Sequence, residues 1–187
     1  AYLTSLEESS FAKKDGNGLK YPRNKTPKNF QNVFLSNLET IDSDLKVKTN
    51  INIEKEIYLG NTVELIQSAN LLEKYKNKVK LSIFSPPYIN CFDYTEVYKT
   101  ELWFGDFVKE YKDLRNLRNK TLSSHLNKTF ADVKILKEII PYIDKIKIKK
   151  LWSKKIINML INYFYEMDIL LSKLNTLIRK NGKCVIV

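Results

Sequence analysis

The stretch Val79-Lys80-Leu81-Ser82-Ile83-Phe84-Ser85-Pro86-Pro87-Tyr88 decides how this chain is read. Residues 79–84 form a short apolar run, rich in β-branched and aromatic side chains, that halts at two consecutive prolines. Such a run reads as a buried strand, because proline cannot donate to a sheet ladder and so ends it. Upstream, Ile57-Tyr58-Leu59 is a second apolar run, stopped by Gly60-Asn61, and reads as a strand ending in a tight turn. Between the two, Thr62 is placed to cap a helix running to about residue 76. Its apolar positions Val63, Ile66, Ala69, Leu72 and Tyr75 recur at helical spacing. Strand, helix and strand in that order predict a βαβ unit with parallel pairing.

Downstream, residues 105–150 read as mostly helical and strongly basic, broken near Pro141. Ser153 then opens a long helix whose stripe is Ile156, Ile157, Leu160, Ile161, Phe164, Met167, Leu170, Leu171, Leu174 and Ile178. Asn181-Gly182 is expected to end it as a left-handed cap, and Cys184-Val185-Ile186-Val187 to form a third buried strand. The fold class is therefore α/β, half of a doubly wound, Rossmann-like sheet with a basic, mostly helical insertion. The chain stops inside that last strand, so we expect it to be part of a longer protein.

Residues 1–56 are less informative. A short helix is expected over residues 2–13, broken by Asp15-Gly16-Asn17-Gly18, whose glycines do not follow a strand and open a helix as a phosphate loop requires. Pro22 and Pro27 mark an irregular basic loop, KYPRNKTPK (residues 20–28), and residues 30–53 hint at a short helix through Phe30, Val33, Phe34, Leu35 and Leu38. The expected organisation is an N-terminal irregular or helical segment, 1–56, and one α/β domain, 57–187, with its insertion at about 105–150.

The formal charge of +11 favours an anionic partner, although abundant Lys, Asn and Ile are also what an AT-rich coding sequence produces. Its distribution says more. Residues 109–155 hold fourteen Lys/Arg against five Asp/Glu, or +9 of the total. Two distant cysteines and a single histidine exclude a zinc or disulfide framework. No apolar run reaches membrane-spanning length, and the N-terminus lacks a signal-peptide layout, so a cytoplasmic protein is expected.

Ligands of open α/β sheets bind beyond the carboxyl ends of the strands, where Ser85-Pro86-Pro87-Tyr88 stands. Two prolines fix φ twice and remove two donors, leaving a rigid turn that presents carbonyls. The Ser85 hydroxyl and the Pro86 carbonyl are suited to accept both hydrogens of an exocyclic amine while Tyr88 stacks on the ring. Accepting both hydrogens steers the nitrogen lone pair out of conjugation. That nitrogen is inaccessible inside a duplex, so the base must be extruded.

The run FSPPYINCFDYTEVYKTELWFGDF, residues 84–107, resembles the catalytic region of the S-adenosylmethionine-dependent DNA amino methyltransferases. The likeness extends through Asp93-Tyr94, Glu101-Leu102-Trp103 and Gly105, and more weakly over residues 57–187. In that family the tetrapeptide beginning with Ser is frequent among N4-cytosine enzymes, and the one beginning with Asp among N6-adenine enzymes. The resemblance implies S-adenosylmethionine as cofactor, near Asn61 and Phe84, and double-stranded DNA as substrate. It implies Ser85, Pro86, Pro87 and Tyr88 as the catalytic residues. A restriction–modification setting follows from the same likeness.

The family's glycine-rich cofactor turn is absent, as none of the five glycines lies in such a setting. The isolated chain is therefore expected to be weak or inactive. The remainder of the methyltransferase, or a partner subunit, would supply the turn. The alternatives are adenine methylation, or a non-catalytic DNA-binding or subunit-interaction fragment of the same fold.

DNA contacts are expected from Tyr94, from Arg115 and Arg118, three apart on a helix, and from His125, which basic residues surround. Cys91 follows Asn90, unlike the Pro-Cys of carbon-5 methylation, and reads as packing, as do Trp103 and Trp152.

Overall fold

The computed structural model describes residues 1–15, 18–46 and 54–187, which fold as a mixture of helices and small sheets. In chain order the elements are α1 (Tyr2–Glu8), β1 (Lys13–Asp15), β2 (Gly18–Lys20), α2 (Phe30–Leu45), α3 (Thr62–Leu65), α4 (Ala69–Tyr75) and β3 (Val79–Phe84). There follow α5 (Tyr94–Val97), α6 (Lys99–Phe104), α7 (Tyr111–Lys120), a 3₁₀ turn (Lys137–Ile139), α8 (Ile140–Lys147), α9 (Lys155–Leu177) and β4 (Ile178–Ile186). They group into two compact units, Ala1–Glu56 with Asp93–Leu117, and Ile57–Phe92 with Arg118–Val187. The first unit thus takes in residues 93–117, which the sequence assigns to the α/β domain. The expected break at Gly16-Asn17, and residues 47–53 of the ambiguous stretch, lie outside the described residues.

In the first unit β1 and β2 form an antiparallel ribbon, and Leu6, Ala12, Val33, Val97, Val108 and Leu114 are buried. Asn29 caps α2 by accepting from the Asn32 N–H at 3.1 Å, and Asp93 caps α5 by accepting from the Thr95 N–H at 3.0 Å. Lys14 pairs with Glu101, and its ammonium lies 4.3 Å from the centre of the Tyr98 ring.

The second unit is built on α9. Tyr163, Met167, Leu170, Leu174 and Leu177 form its buried face together with Ile66, and Leu72, Tyr75, Val79, Phe84 and Leu122 pack against them. Burying a side chain of this size contributes roughly 1.5–3 kcal/mol, so this one helix face dominates the unit. The face is rotated from the one the sequence suggests. Met159, Tyr163 and Leu177 lie at its centre, whereas Phe164 and Leu171 are exposed.

β3 and β4 pair in parallel, with Leu81 opposite Lys183 and Phe84 opposite Ile186. The long connection between them contains α9, so the unit does contain a parallel strand pair bridged by a helix. Its first strand is β3, however, and not residues 57–59. That expectation is corrected: Ile57 and Leu59 are 95% exposed and lie in no strand. Three apolar residues without a partner strand bury too little to hold an extended conformation. The single helix expected over residues 62–76 is two, because Ser68 turns to extended backbone at ψ 125° between α3 and α4.

Asn181-Gly182 does not cap α9, which ends four residues earlier. It forms a bulge inside β4. Val79 pairs with Ile178 but Leu81 pairs with Lys183, so one residue of β3 faces four of β4. Asn181 takes φ 65°, and a Cβ on Gly182 would stand 2.9 Å from the Val79 carbonyl oxygen. Residues 184–187, expected to be buried, are exposed, as are Leu81 and Ile83. Among the described residues nothing covers the face of the strand pair that carries Leu81, Ile83 and Val185.

Candidate functional site

The carboxyl end of β3 leads straight into the proline turn. The Val187 N–H donates to the Phe84 carbonyl at 3.1 Å, extending the ladder to the last residue before the motif. The Ser85 hydroxyl then donates to the Val187 carbonyl at 3.1 Å. A hydroxyl has one proton and two lone pairs, so with the proton committed to Val187 the oxygen has lone pairs left with which to accept. From inside the unit, the buried Tyr163 phenol donates to the Pro87 carbonyl at 3.0 Å. The turn is thus tied at both ends, once to β4 and once to α9. No hydrogen bond among the described residues engages the Pro86 carbonyl.

Beside the turn lies a cavity of about 260 Å³. Its walls are Thr62 and Ile66 from the α3 region, Ser82 and Phe84 of β3, Ser85, Pro86 and Pro87, then Leu122, and Leu170 and Leu174 of α9. The lining is apolar apart from the Thr62, Ser82 and Ser85 hydroxyls, and no charged side chain takes part. A volume below the usual range for ligand pockets suits one flat ring better than a large charged cofactor. These residues therefore fit the ring portion of S-adenosylmethionine or a base. They do not fit the cofactor's amino-acid end, which would call for charged partners. Tyr88 is exposed and stands outside the lining.

Of the residues expected near the cofactor, Phe84 lines the cavity. Asn61 does not, although the adjacent Thr62 does. Both ends of the Asn61 amide serve the fold: its oxygen accepts from the Val63 N–H at 2.8 Å, and its nitrogen donates to the Lys120 carbonyl at 2.7 Å.

The expected DNA contacts are dispersed. Tyr94 and Arg115 are exposed residues of the first unit, while Arg118 and His125 are buried in the second. Arg115 and Arg118 therefore do not present one common surface. Along α7, Leu114 and Arg118 are buried and Arg115 is exposed.

His125 is only 2% exposed. Its Nδ1 accepts from the Asn127 N–H at 3.2 Å, which assigns the neutral ring's proton to Nε2, 3.2 Å from Thr121 Oγ1. That hydroxyl in turn donates to the Arg118 carbonyl at 2.7 Å. In this arrangement His125 and the Arg118 carbonyl shape the loop after α7, and both residues are buried where exposed contacts were expected. Their basic sequence neighbours carried the expectation, and burial is a tertiary property that spacing does not report.

Sequence reasoning missed two polar features. Glu166 of α9 accepts from the Ser123 N–H at 2.7 Å and from the Ser123 hydroxyl at 2.8 Å, and pairs with Lys128 at 2.9 Å. α9 carries two carboxylates, Glu166 and Asp168, and their spacing gave no sign of which one turns inward. The second is Asp113, which accepts from the Lys109 and Glu110 N–H groups at 3.0 and 3.2 Å and closes the start of α7.

Cys91 is half-buried, with Sγ 3.8 Å from Met159 Sδ, and burial pushes its thiol above the ordinary value. A nucleophilic thiolate needs the opposite shift. Trp103 and Trp152, read as core, are both exposed. No cluster of metal-ligating side chains occurs among the described residues, and none of their helices is long and apolar enough to cross a membrane.

No protein-family model matches this chain, and neither a curated protein nor a solved structure is significantly similar to it.

Proposed function

We propose that this chain carries the base-holding half of a DNA amino methyltransferase with a Rossmann-like, doubly wound sheet. The methyl donor is S-adenosylmethionine, and the acceptor is the exocyclic amine of a base extruded from double-stranded DNA, cytosine in preference to adenine. A restriction–modification system is the setting this reading implies. The observation that carries it is the placement of Ser85-Pro86-Pro87-Tyr88 at the carboxyl end of a parallel strand, beside a cavity of one-ring size.

In this reading Ser85 and the Pro86 carbonyl accept the two N–H bonds of the amine. The Ser85 proton is already held by Val187, which favours the accepting role. Pro87 sets the turn, and the exposed Tyr88 ring is available to stack on the base. The cofactor supplies the methyl group when bound. Asn61 and Phe84 are this chain's contribution beside it, Phe84 as cavity wall and Asn61 by positioning α3. The basic stretch 109–155 binds the DNA backbone, with Arg115 as an exposed contact, and Tyr94, outside that stretch, is another.

One observation favours a second reading, a non-catalytic DNA-binding or subunit-interaction fragment: the cavity has no charged side chain for the cofactor's amino-acid end.

The test is nucleoside analysis of genomic DNA from cells with and without the gene, and with Ser85→Ala in its place. We expect 4-methylcytosine that depends on the gene and disappears in the Ser85 variant. Gene-dependent 6-methyladenine instead would move the assignment to adenine. Neither modified base would overturn the catalytic reading and leave the binding one.

A further inference from the structure

β3 turns one polar side chain toward the apolar interior of the second unit. Side chains alternate along a strand, so Leu81 and Ile83 stand on the exposed face. Ser82 and Phe84 stand on the other, where both line the cavity with Leu170 and Leu174 of α9. Ser82 is half-buried, and among the described residues no hydrogen bond engages its hydroxyl. A serine in a helix can turn its proton to the carbonyl four residues back, but in a strand that local partner is missing. Covering a hydroxyl without a partner is costly, whereas an alanine or valine would line an apolar wall at no such cost. A ligand that enters the cavity therefore meets a donor at Ser82.

Position along the strand says which part of the ligand it meets. Ser82 precedes Ser85 by three residues, roughly 10 Å of extended backbone. Ser85 is exposed at the outer end of the lining, and Ser82 is the more covered of the two. One six-membered ring hydrogen-bonded at both ends spans such a distance. An amine held by Ser85 and the Pro86 carbonyl leaves the opposite edge of its ring toward Ser82. No charged side chain of the lining competes for that edge.

We propose that the Ser82 hydroxyl reads the substrate ring, donating to the carbonyl oxygen of the cytosine whose amine Ser85 and the Pro86 carbonyl accept. This rests on the base-holding role proposed above for the proline turn. Ser82 is then a specificity residue. It takes no part in methyl transfer, and it favours a ring with an amine on one edge and an acceptor on the edge away from it.

The experiment is titration of the isotope-labelled whole chain with 1-methylcytosine, with aniline and with S-adenosylmethionine, followed through the resonances of Ser82, Leu122 and Leu174. Aniline keeps an aromatic amine and has no ring acceptor. The titrations are repeated for Ser82→Ala, Ser82→Thr and Ser85→Ala, and urea unfolding checks that each is folded. Should Ser82→Ala not fold, Ser82→Val takes its place, since valine suits a strand and differs from threonine by the hydroxyl alone.

We expect 1-methylcytosine to shift these resonances, and Ser82→Ala to weaken its binding about two- to tenfold, as the loss of one hydrogen bond does. Ser82→Thr, which keeps the donor, should retain the affinity. Aniline should bind the unaltered chain and Ser82→Ala equally, because it offers the hydroxyl no acceptor.

Equal binding of 1-methylcytosine by the unaltered chain and by folded Ser82→Ala overturns the inference. If Ser85→Ala weakens binding in that same experiment, the base-holding reading survives it. Cavity resonances that do not respond to 1-methylcytosine at all remove the base-holding reading and the inference together. Ser82-dependent shifts from S-adenosylmethionine alone would give the cavity to the cofactor, and they overturn the inference as well.

Discussion

The Tyr163 phenol donates to the Pro87 carbonyl across 3.0 Å, so the buried face of α9 grips the turn that leaves β3. The bond costs the molecule little to lose and ties down the residue that follows Ser85 and Pro86. Tyr163→Phe keeps the ring and removes the donor. We expect a stability loss of about 0.5–1.5 kcal/mol, measured by urea unfolding. If the turn holds the substrate amine, methylation should fall more steeply than stability does. A variant unfolding at the same urea concentration with unchanged methylation would show that the bond positions nothing.

Gly182 sits where a side chain has no room. An added Cβ would lie 2.6 Å from Ile178 Cγ2 and 2.9 Å from the carbonyl oxygens of both Arg179 and Val79. Two of these neighbours are backbone and cannot swing aside. Gly182→Ala should therefore destabilise the β3–β4 pair by about 1–3 kcal/mol, seen as a lower unfolding midpoint. Asn181→Ala should cost less, about 1 kcal/mol, the penalty of placing an ordinary residue at φ 65°.

The elements legible in the sequence were those that local chemistry settles. β3 is bounded by Asn77 and by Pro86, and its β-branched and aromatic content leaves little choice of conformation. α9 was legible as a helix but not in its rotation. Ile and Leu occur all around its 23 residues, and which of them face inward is decided by the partners they meet. Asn181-Gly182 misled for a related reason. A left-handed Asn followed by Gly serves a helix cap and a strand bulge equally well, and pairing with Val79 makes it the bulge. Within the candidate site, the strand-to-proline junction was readable. The grip of Tyr163 and the Val187 bond to Ser85 join residues far apart in sequence, where no spacing rule reaches.

Glu166 accepts two bonds from Ser123 and pairs with Lys128, and both charged side chains are largely covered. Glu166→Gln removes the charge that balances the Lys128 ammonium while keeping the shape. Hydrogen bonds to charged groups contribute about 1.5–3 kcal/mol, and a loss in that range is expected in chemical unfolding. Adding Lys128→Met should recover part of it, because the unpaired cation is then gone. A double variant less stable than Glu166→Gln alone would contradict the pairing.

Asp113 takes two backbone N–H bonds at the start of α7, from Lys109 first and Glu110 second, and they hold its carboxyl below the ordinary value. The group binds its proton less readily folded than unfolded. Its contribution is therefore present above the unfolded carboxylate range and is lost as pH falls through the lowered folded value. Backbone amide resonances of residues 109–113 should follow that single low titration. Asp113→Asn should flatten the response, and resonances that titrate at the ordinary aspartate value would exclude the capping role.

Arg115 and Arg118 differ by three residues and by their surroundings, which separates a binding role from a structural one. Arg115 is exposed and Arg118 is buried, with its carbonyl accepting from Thr121. If the basic stretch binds the DNA backbone, Arg115→Ala should weaken duplex binding evenly across sequences. It should also reduce the slope of log affinity against log salt by about 1, without moving the unfolding midpoint. Arg118→Ala should act the other way round, lowering the unfolding free energy by about 1–3 kcal/mol while the salt slope of the folded fraction is kept. Binding by titration at several salt concentrations, beside urea unfolding, separates the two. Equal effects of both substitutions on the slope would place Arg118 at the DNA despite its burial, and no effect of Arg115 would remove α7 from the interface.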